Sequence, residues 1–208
     1  PERFIECGIA EQDMVSQAGT MALSGLLPIV HSFSCFLTSR PSEQIYNNCL
    51  QGSKVIYVGS LSGLLPAGPG SSHQAVNDIT SMAAMTEMKL MEPINSNQLD
   101  YLLDFAINKT SYSSYLRLTS IPYTLINTKN EDYKHEGCGT VLNNGKKITI
   151  ISVGPIMTFN ALGVVKMFKK ENIDIQLITT PWLNSFDSDW YNEKLDNSDY
   201  VITIENHY

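Results

Sequence analysis

The sequence predicts an α/β protein: a unit built on a parallel sheet, followed by a smaller α/β unit. Three observations predict it. Apolar stretches with β-branched content and strand length, such as 54–59 and 147–153, alternate with stretches of helical period. The apolar run 26–33 directly follows a helical pattern, as in a βα repeat. A polar stretch with glycines, 127–145, separates two such sets and reads as a linker. The expected division is a first domain over 1–126, a linker over 127–145 and a second domain over 146–208.

Met14, Ala18, Met21, Ala22 and Gly25 recur at the spacing of one helix face, so a helix is expected from about Ala10 to Gly25. Glu11 points the same way as that face. Burying a bare charge is costly, so Glu11 needs a proton or a partner there. The alternative is an exposed first-turn acid that suits the helix dipole. Residues 26–33 read as a buried strand, and Pro41 opens a helix over 42–50. The strand 54–59 runs into a loop rich in glycine and proline, 60–72. Open α/β sheets bind ligands at such carboxyl ends. A helix is expected from His73 to about Met82. A methionine-rich strand follows around Met88, and then a helix over 97–107 capped by Ser96. The strand 114–118 closes the first set. Past the linker, strands are expected at 147–153, 173–178 and 200–205, with a turn at Gly154-Pro155 and a helix over 159–170. No GxGxxG is present, so a dinucleotide loop is not read there.

The chain has 208 residues, 43% hydrophobic and 17% charged, enough for one large or two small domains. A net charge of −7 without basic runs argues against nucleic acid as a partner. No apolar run has the length of a membrane span. Cys7, Cys35, Cys49 and Cys138 form no CxxC pair and read as reduced, cytoplasmic thiols. The chain opens at Pro1 directly before the first motif and closes at Tyr208 just after a strand, so both ends look cut.

Gly8-Ile9-Ala10-Glu11-Gln12 resembles the GIAEQ signature of the transketolase family of thiamine-diphosphate enzymes. The likeness continues through Phe33-Ser34-Cys35-Phe36-Leu37-Thr38-Ser39-Arg40, Glu43-Gln44-Ile45 and Gly70-Ser71-Ser72-His73-Gln74-Ala75-Val76-Asn77-Asp78-Ile79, in the family's order. It implies a pyrimidine-binding domain followed by a C-terminal domain that serves mainly in dimer packing. By the resemblance, Glu11 bonds to N1′ of the cofactor's aminopyrimidine. A protonated carboxyl there promotes loss of the proton from the thiazolium C2. Phe33 and Phe36 would line the pyrimidine pocket, with core packing the alternative for Phe33. His73 would act near the cofactor's reactive end, on a substrate oxygen or the diphosphate. Arg40 and Glu43 would border the cofactor site and dimer interface in structural roles.

The likeness also has departures. Ser39 stands where many members carry a tyrosine. Leu61 and Pro69 stand where sugar-handling members carry a histidine and an aspartate, and no phosphate-binding arginine follows at Thr119-Ser120. No GDG segment with a downstream asparagine is present. The resemblance therefore implies half a site. An N-terminal, diphosphate-binding subunit would hold Mg2+, and this chain would form a homodimer within an α2β2 assembly. The expected reaction is transfer of a two-carbon ketol unit on a non-standard sugar. The alternatives are the beta subunit of a 2-oxo acid dehydrogenase decarboxylase component and a non-catalytic partner. The Thr38-Ser39-Arg40 spacing before Glu43-Gln44 favours the first reading.

Overall fold

A computed structural model describes residues 2–65, 68–124, 126–129 and 132–207. Pro1, Pro66, Asn130, Glu131 and Tyr208, which fall within the expectations above, lie outside the described residues. The first unit contains α1 (Glu11–Leu23), β1 (Ile29–Phe33), α2 (Ser34–Ser39), α3 (Ser42–Leu50), β2 (Ile56–Ser60), α4 (Asp78–Ala83), β3 (Lys89–Met91), α5 (Ser96–Asp104) and β4 (Ser114–Arg117). The second contains β5 (Thr140–Asn143), β6 (Lys147–Val153), α6 (Gly154–Lys169), β7 (Ile175–Thr180), α7 (Ser188–Leu195) and β8 (Ser198–Ile204).

Strands β1, β2, β4 and β3 lie side by side in that order, all parallel. Helices are packed on both faces, as parallel strands require. One face is filled by Val15, Leu37, Ile45, Tyr57, Met82 and Tyr115, and the other by Ile56, Leu102, Leu116 and Trp182. The second sheet is mixed, in the order β5-β7-β6-β8, with only β5 antiparallel. The α/β expectation, with a parallel sheet followed by a smaller α/β unit, therefore holds.

Several local expectations give way to tertiary context. The buried stripe of α1 is Glu11, Val15, Ala18 and Gly19, because Asn48 of α3 docks on that side and donates to the Val15 carbonyl at 3.0 Å. The expected buried strand 26–33 shortens to β1 and buries only Val30, since it is an edge strand. The helix expected from His73 is instead a 3₁₀ turn, Ser71–His73. Ala75 then pairs with Gly63, which holds the chain off a helical path until α4. The cap of α5 is Asn95, not Ser96: its side chain accepts from the Gln98 N–H at 2.8 Å. Gly154-Pro155 opens α6 instead of forming a turn, at a position where a missing N–H costs nothing. The polar segment 127–145 contributes β5, and α7 was not anticipated.

The two units are stitched along β3. The Glu92 N–H donates to the Pro181 carbonyl at 2.9 Å, and the Leu183 N–H donates to the Leu90 carbonyl at 2.9 Å. Asn184 accepts from the Leu90 N–H at 3.0 Å and donates to the Met88 carbonyl at 2.6 Å. Trp182 inserts its ring against Phe105, with centroids 4.8 Å apart.

Candidate functional site

The carboxyl end of β1 leads through α2 to Arg40, which meets the first residue of α1. Phe33 ends β1 in extended geometry, and the chain turns at once into α2. Ser34, Leu37 and Thr38 are the buried side of that short helix. Phe36 and Arg40 lie four residues apart, the spacing that makes neighbours on one helix face. The Arg40 guanidinium sits 3.9 Å above the Phe36 ring, a cation–π contact. Its Nη1 also donates to Glu11 Oε1 at 2.7 Å. Glu11 opens α1 and is buried, and its charge is met by Arg40 and by the positive end of the helix. Glu11 is thus a first-turn acid, but a buried one with Arg40 as its partner, not the exposed acid of the alternative reading.

His73 completes the cluster. Its ring lies 5.0 Å from Phe36, edge to face, and 6.2 Å from Phe33. Phe33 and Phe36 are 6.1 Å apart. Ser72 Oγ engages His73 Nδ1 at 3.0 Å, so Nε2 is the nitrogen the ring can present. Glu11, Phe33, Phe36, Arg40 and His73 therefore form one contiguous group. Phe33 remains 39% exposed, so core packing does not account for it. Glu43 stands exposed on α3, outside the group.

The start of the loop after β2 is pinned. Leu61 holds a left-handed backbone at φ 55°, a costly state for a leucine that persists only where the surroundings enforce it. The Ser62 N–H donates to the Leu118 carbonyl, and the Leu64 N–H to the Asn206 carbonyl, both at 3.1 Å. Gly63 is required at this crossing, because a Cβ there would fall 2.2 Å from Asn206 Nδ2.

Beneath the site lies a network that local sequence patterns do not reveal. Arg117 is fully buried. Its Nε donates to Asp78 Oδ2 at 2.8 Å, and its Nη1 donates to Glu92 Oε2 at 2.6 Å and Asn206 Oδ1 at 2.8 Å. The Tyr115 hydroxyl donates to the same Asp78 oxygen at 2.8 Å. Burial pushes the Glu92 carboxyl up, against the pull of Arg117. Burial alone would lower Arg117, but Glu92 and Asp78 hold it above its usual range. Burial and the neighbouring Asp78 push the Tyr115 phenol well up. The available signal was an arginine inside the strand run Ser-Tyr-Leu-Arg-Leu, where a charge needs buried partners. Asp78 thereby ties the start of α4, just past His73, to the centre of the sheet.

Comparison with known proteins agrees with this architecture. Residues 1–124 match the family model "Transketolase, pyrimidine binding domain", and residues 137–208 match "Transketolase, C-terminal domain". A 1-deoxy-D-xylulose-5-phosphate synthase of Clostridium tetani is 30% identical over 207 residues, spanning 98% of this chain and 32% of the synthase. One of the subunits of an apulose-4-phosphate transketolase from Actinobacillus succinogenes is 28% identical over 209 residues, spanning 100% of this chain and 66% of that subunit. Among solved structures, a split-gene transketolase in an inactive beta4 tetramer superposes with a TM-score of 0.87 at 28% identity, spanning 100% of this chain and 66% of its own. A Pichia stipitis transketolase complexed with sedoheptulose 7-phosphate has a TM-score of 0.87 at 17% identity, spanning 99% of this chain and 31% of its own, and so shares the fold. The chain thus spans about a third of the synthase and just under two thirds of the split-subunit relatives. By its motifs, its two sheets and these matches, the chain belongs to the transketolase family.

Proposed function

We propose that this chain is the C-terminal subunit of a split, thiamine-diphosphate-dependent transketolase-like transferase, and that it moves a two-carbon unit between small carbonyl substrates. The observation that carries this is the group of Glu11, Arg40, Phe36, Phe33 and His73 at the carboxyl end of a parallel sheet. A carboxyl at one end of an open aromatic wall fits an aminopyrimidine, which is flat and has a ring nitrogen at its rim. When bound, thiamine diphosphate supplies a nucleophilic thiazolium carbon. Glu11 would hold a proton at the pyrimidine's N1′. Arg40 would keep Glu11 in place through the Oε1 contact. Phe33 and Phe36 would bound the ring and exclude water. His73 would present Nε2 to a substrate oxygen or the diphosphate.

The chain would supply half of the site. Phe4, Ile5 and Ile9, on the segment leading into Glu11, and Leu64, in the loop before His73, are exposed. Exposed apolar side chains around a polar centre suit a covering protein surface. The diphosphate and Mg2+ are assigned to a partner subunit, since the group offers a single carboxylate. Domains over 1–126 and 146–208 in this chain, and an α2β2 assembly, complete the reading. In a thiamine-diphosphate titration with Mg2+, the isolated chain is expected to bind weakly and the chain with its partner tightly. Sub-micromolar binding by the isolated chain would overturn the division of the site.

The donor follows from what lines the loop. Leu61 and Pro69 cannot hydrogen-bond through their side chains, and Pro69 lacks a backbone N–H. Without polar side chains at these two positions the site gains less from a donor's hydroxyls, with His73 the remaining group. The synthase relatives are named for a 1-deoxy sugar phosphate, whose terminal carbon bears no hydroxyl. The expected donor is thus a small 2-oxo acid or a nucleotide-linked keto-sugar, with xylulose 5-phosphate and fructose 6-phosphate used poorly. A donor panel on the reconstituted complex checks this. Xylulose 5-phosphate emerging as best by a wide margin would sink the argument from Leu61 and Pro69.

A further inference from the structure

A second group of chemistry-bearing side chains, none of them part of the candidate cofactor site, joins the segment before β5 to the residue before α7. His135, Cys138 and Asp187 bring an imidazole nitrogen, a thiol sulfur and a carboxylate oxygen within 4.8 Å of one another. His135 Nε2 is 3.4 Å from Cys138 Sγ and 2.5 Å from Asp187 Oδ2. Both contacts use the same ring nitrogen. A nucleophilic triad needs the thiol and the carboxylate on opposite nitrogens, so the arrangement is not one. It is instead three donor atoms of metal-ligating type gathered within 4.8 Å of one another.

The backbone builds this convergence. The Cys138 N–H donates to the His135 carbonyl at 3.2 Å, closing a turn that puts residues three apart on one side. The Asp187 N–H donates to the Gly137 carbonyl at 3.1 Å, which fastens the residue before α7 to that turn. Gly137, at φ 88°, is required here, since a Cβ would fall 2.8 Å from the Asp187 nitrogen. Asp187 Oδ1 caps α7 by accepting from the Trp190 N–H at 2.8 Å, leaving Oδ2 to face His135. Cys138 is buried, while the His135 side chain is 69% exposed and open to solvent.

We propose that His135, Cys138 and Asp187 bind a divalent transition-metal ion of the zinc class, with water in the fourth position. The donor set selects the metal. Thiolate and imidazole favour zinc or cobalt over the oxygen-seeking magnesium and calcium. Tetrahedral zinc with ordinary bond lengths sets nitrogen and sulfur about 3.6 Å apart and nitrogen and oxygen about 3.3 Å apart. The sulfur spacing is already close. The nitrogen–oxygen spacing must open by roughly 1 Å or less, and the sulfur–oxygen spacing, within 4.8 Å, must close to about 3.6 Å; a rotation of the exposed His135 ring with a small shift of the Asp187 carboxylate would allow both. The ion would replace the His135–Asp187 hydrogen bond and clip the segment before β5 to the start of α7.

The test uses the purified full chain, stripped with chelator and titrated with Zn2+, then with Co2+ as a spectroscopic probe. One Zn2+ per chain is expected, and the Co2+ form should show a thiolate charge-transfer band. Cys138→Ser should lose that band. His135→Gln should weaken Zn2+ binding by about 100-fold or more, beyond what orienting neighbours contribute. Asp187→Asn keeps an oxygen to cap α7, so the fold survives while affinity falls. Failure of the wild-type chain to bind Zn2+ tightly, or a charge-transfer band that persists in Cys138→Ser, would overturn the proposal. Neither outcome bears on the thiamine-diphosphate reading, because the readout needs no turnover.

Discussion

Glu11→Gln in the reconstituted enzyme is expected to lose turnover on the order of 10²–10⁴-fold while its melting temperature stays close to wild type. The stability half of this result follows from geometry. Gln has the shape of Glu and keeps a carbonyl oxygen to accept from Arg40, whose contact with Glu11 is 2.7 Å in the wild-type chain. Arg40 retains its stacking on Phe36 and is itself partly solvated. A pair with one partner this open to water contributes little to stability. The activity half follows from proton chemistry: an amide can neither give a proton to N1′ nor stabilise one held there. A purely structural Glu11 would leave turnover near normal as well. Measuring both on one preparation separates the two.

Arg117→Met should destabilise the chain by about 3–5 kcal/mol at neutral pH, measured by denaturant titration. Methionine fills much of the volume but leaves Asp78 and Glu92 buried without their cation. The sign of the pH dependence can be worked out from Glu92. Its folded carboxyl already lies above the usual value of 4.5 because of burial, and removing Arg117 takes away the main opposing influence. A carboxyl with a raised folded value supports the fold while protonated in both states. That support is lost as pH rises above 4.5 and through the folded value. The deficit of the variant should therefore shrink toward about pH 5 and grow toward about pH 8. Adding Asp78→Asn and Glu92→Gln to Arg117→Met should recover much of the loss. A single variant within about 1 kcal/mol of wild type would show that the buried ions do not depend on one another.

The candidate site was legible because the likeness to the transketolase motifs named its residues, although contacts such as Arg40–Glu11 span 29 positions. Phe36 and Arg40 are four residues apart on a short helix, Glu11 opens the helix after the glycine turn, and His73 follows the loop of a strand. Helix α2 itself was not legible: at six residues it is too short to show a period. The stripe of α1 was displaced because Asn48, far along the chain, decides which side is covered. The exposure of β1 could not be read from its composition, because edge position is a property of the sheet. Arg117 was visible as an oddity in an apolar strand, but its partners come from 78, 92 and 206, and no local pattern joins those positions. The candidate site could be read from the motifs the chain shares with the family, whereas the network beneath it depends on contacts that only the folded chain creates.

The hydrogen bonds between 181–184 and β3 have a consequence for how the chain comes apart. They give the first sheet a border made of backbone from the second unit, and Trp182 fills a core that the first unit alone would leave open. Opening either unit would strand buried amides and expose that indole in the other. Separate melting would therefore cost more than melting together, so heat should produce one calorimetric transition despite two distinct sheets. In native-state hydrogen exchange, the amides of Leu90, Glu92 and Leu183 should exchange with a common opening free energy. Expressed alone, the first unit would present a bare strand edge at β3, the kind of edge that recruits other chains into aggregates.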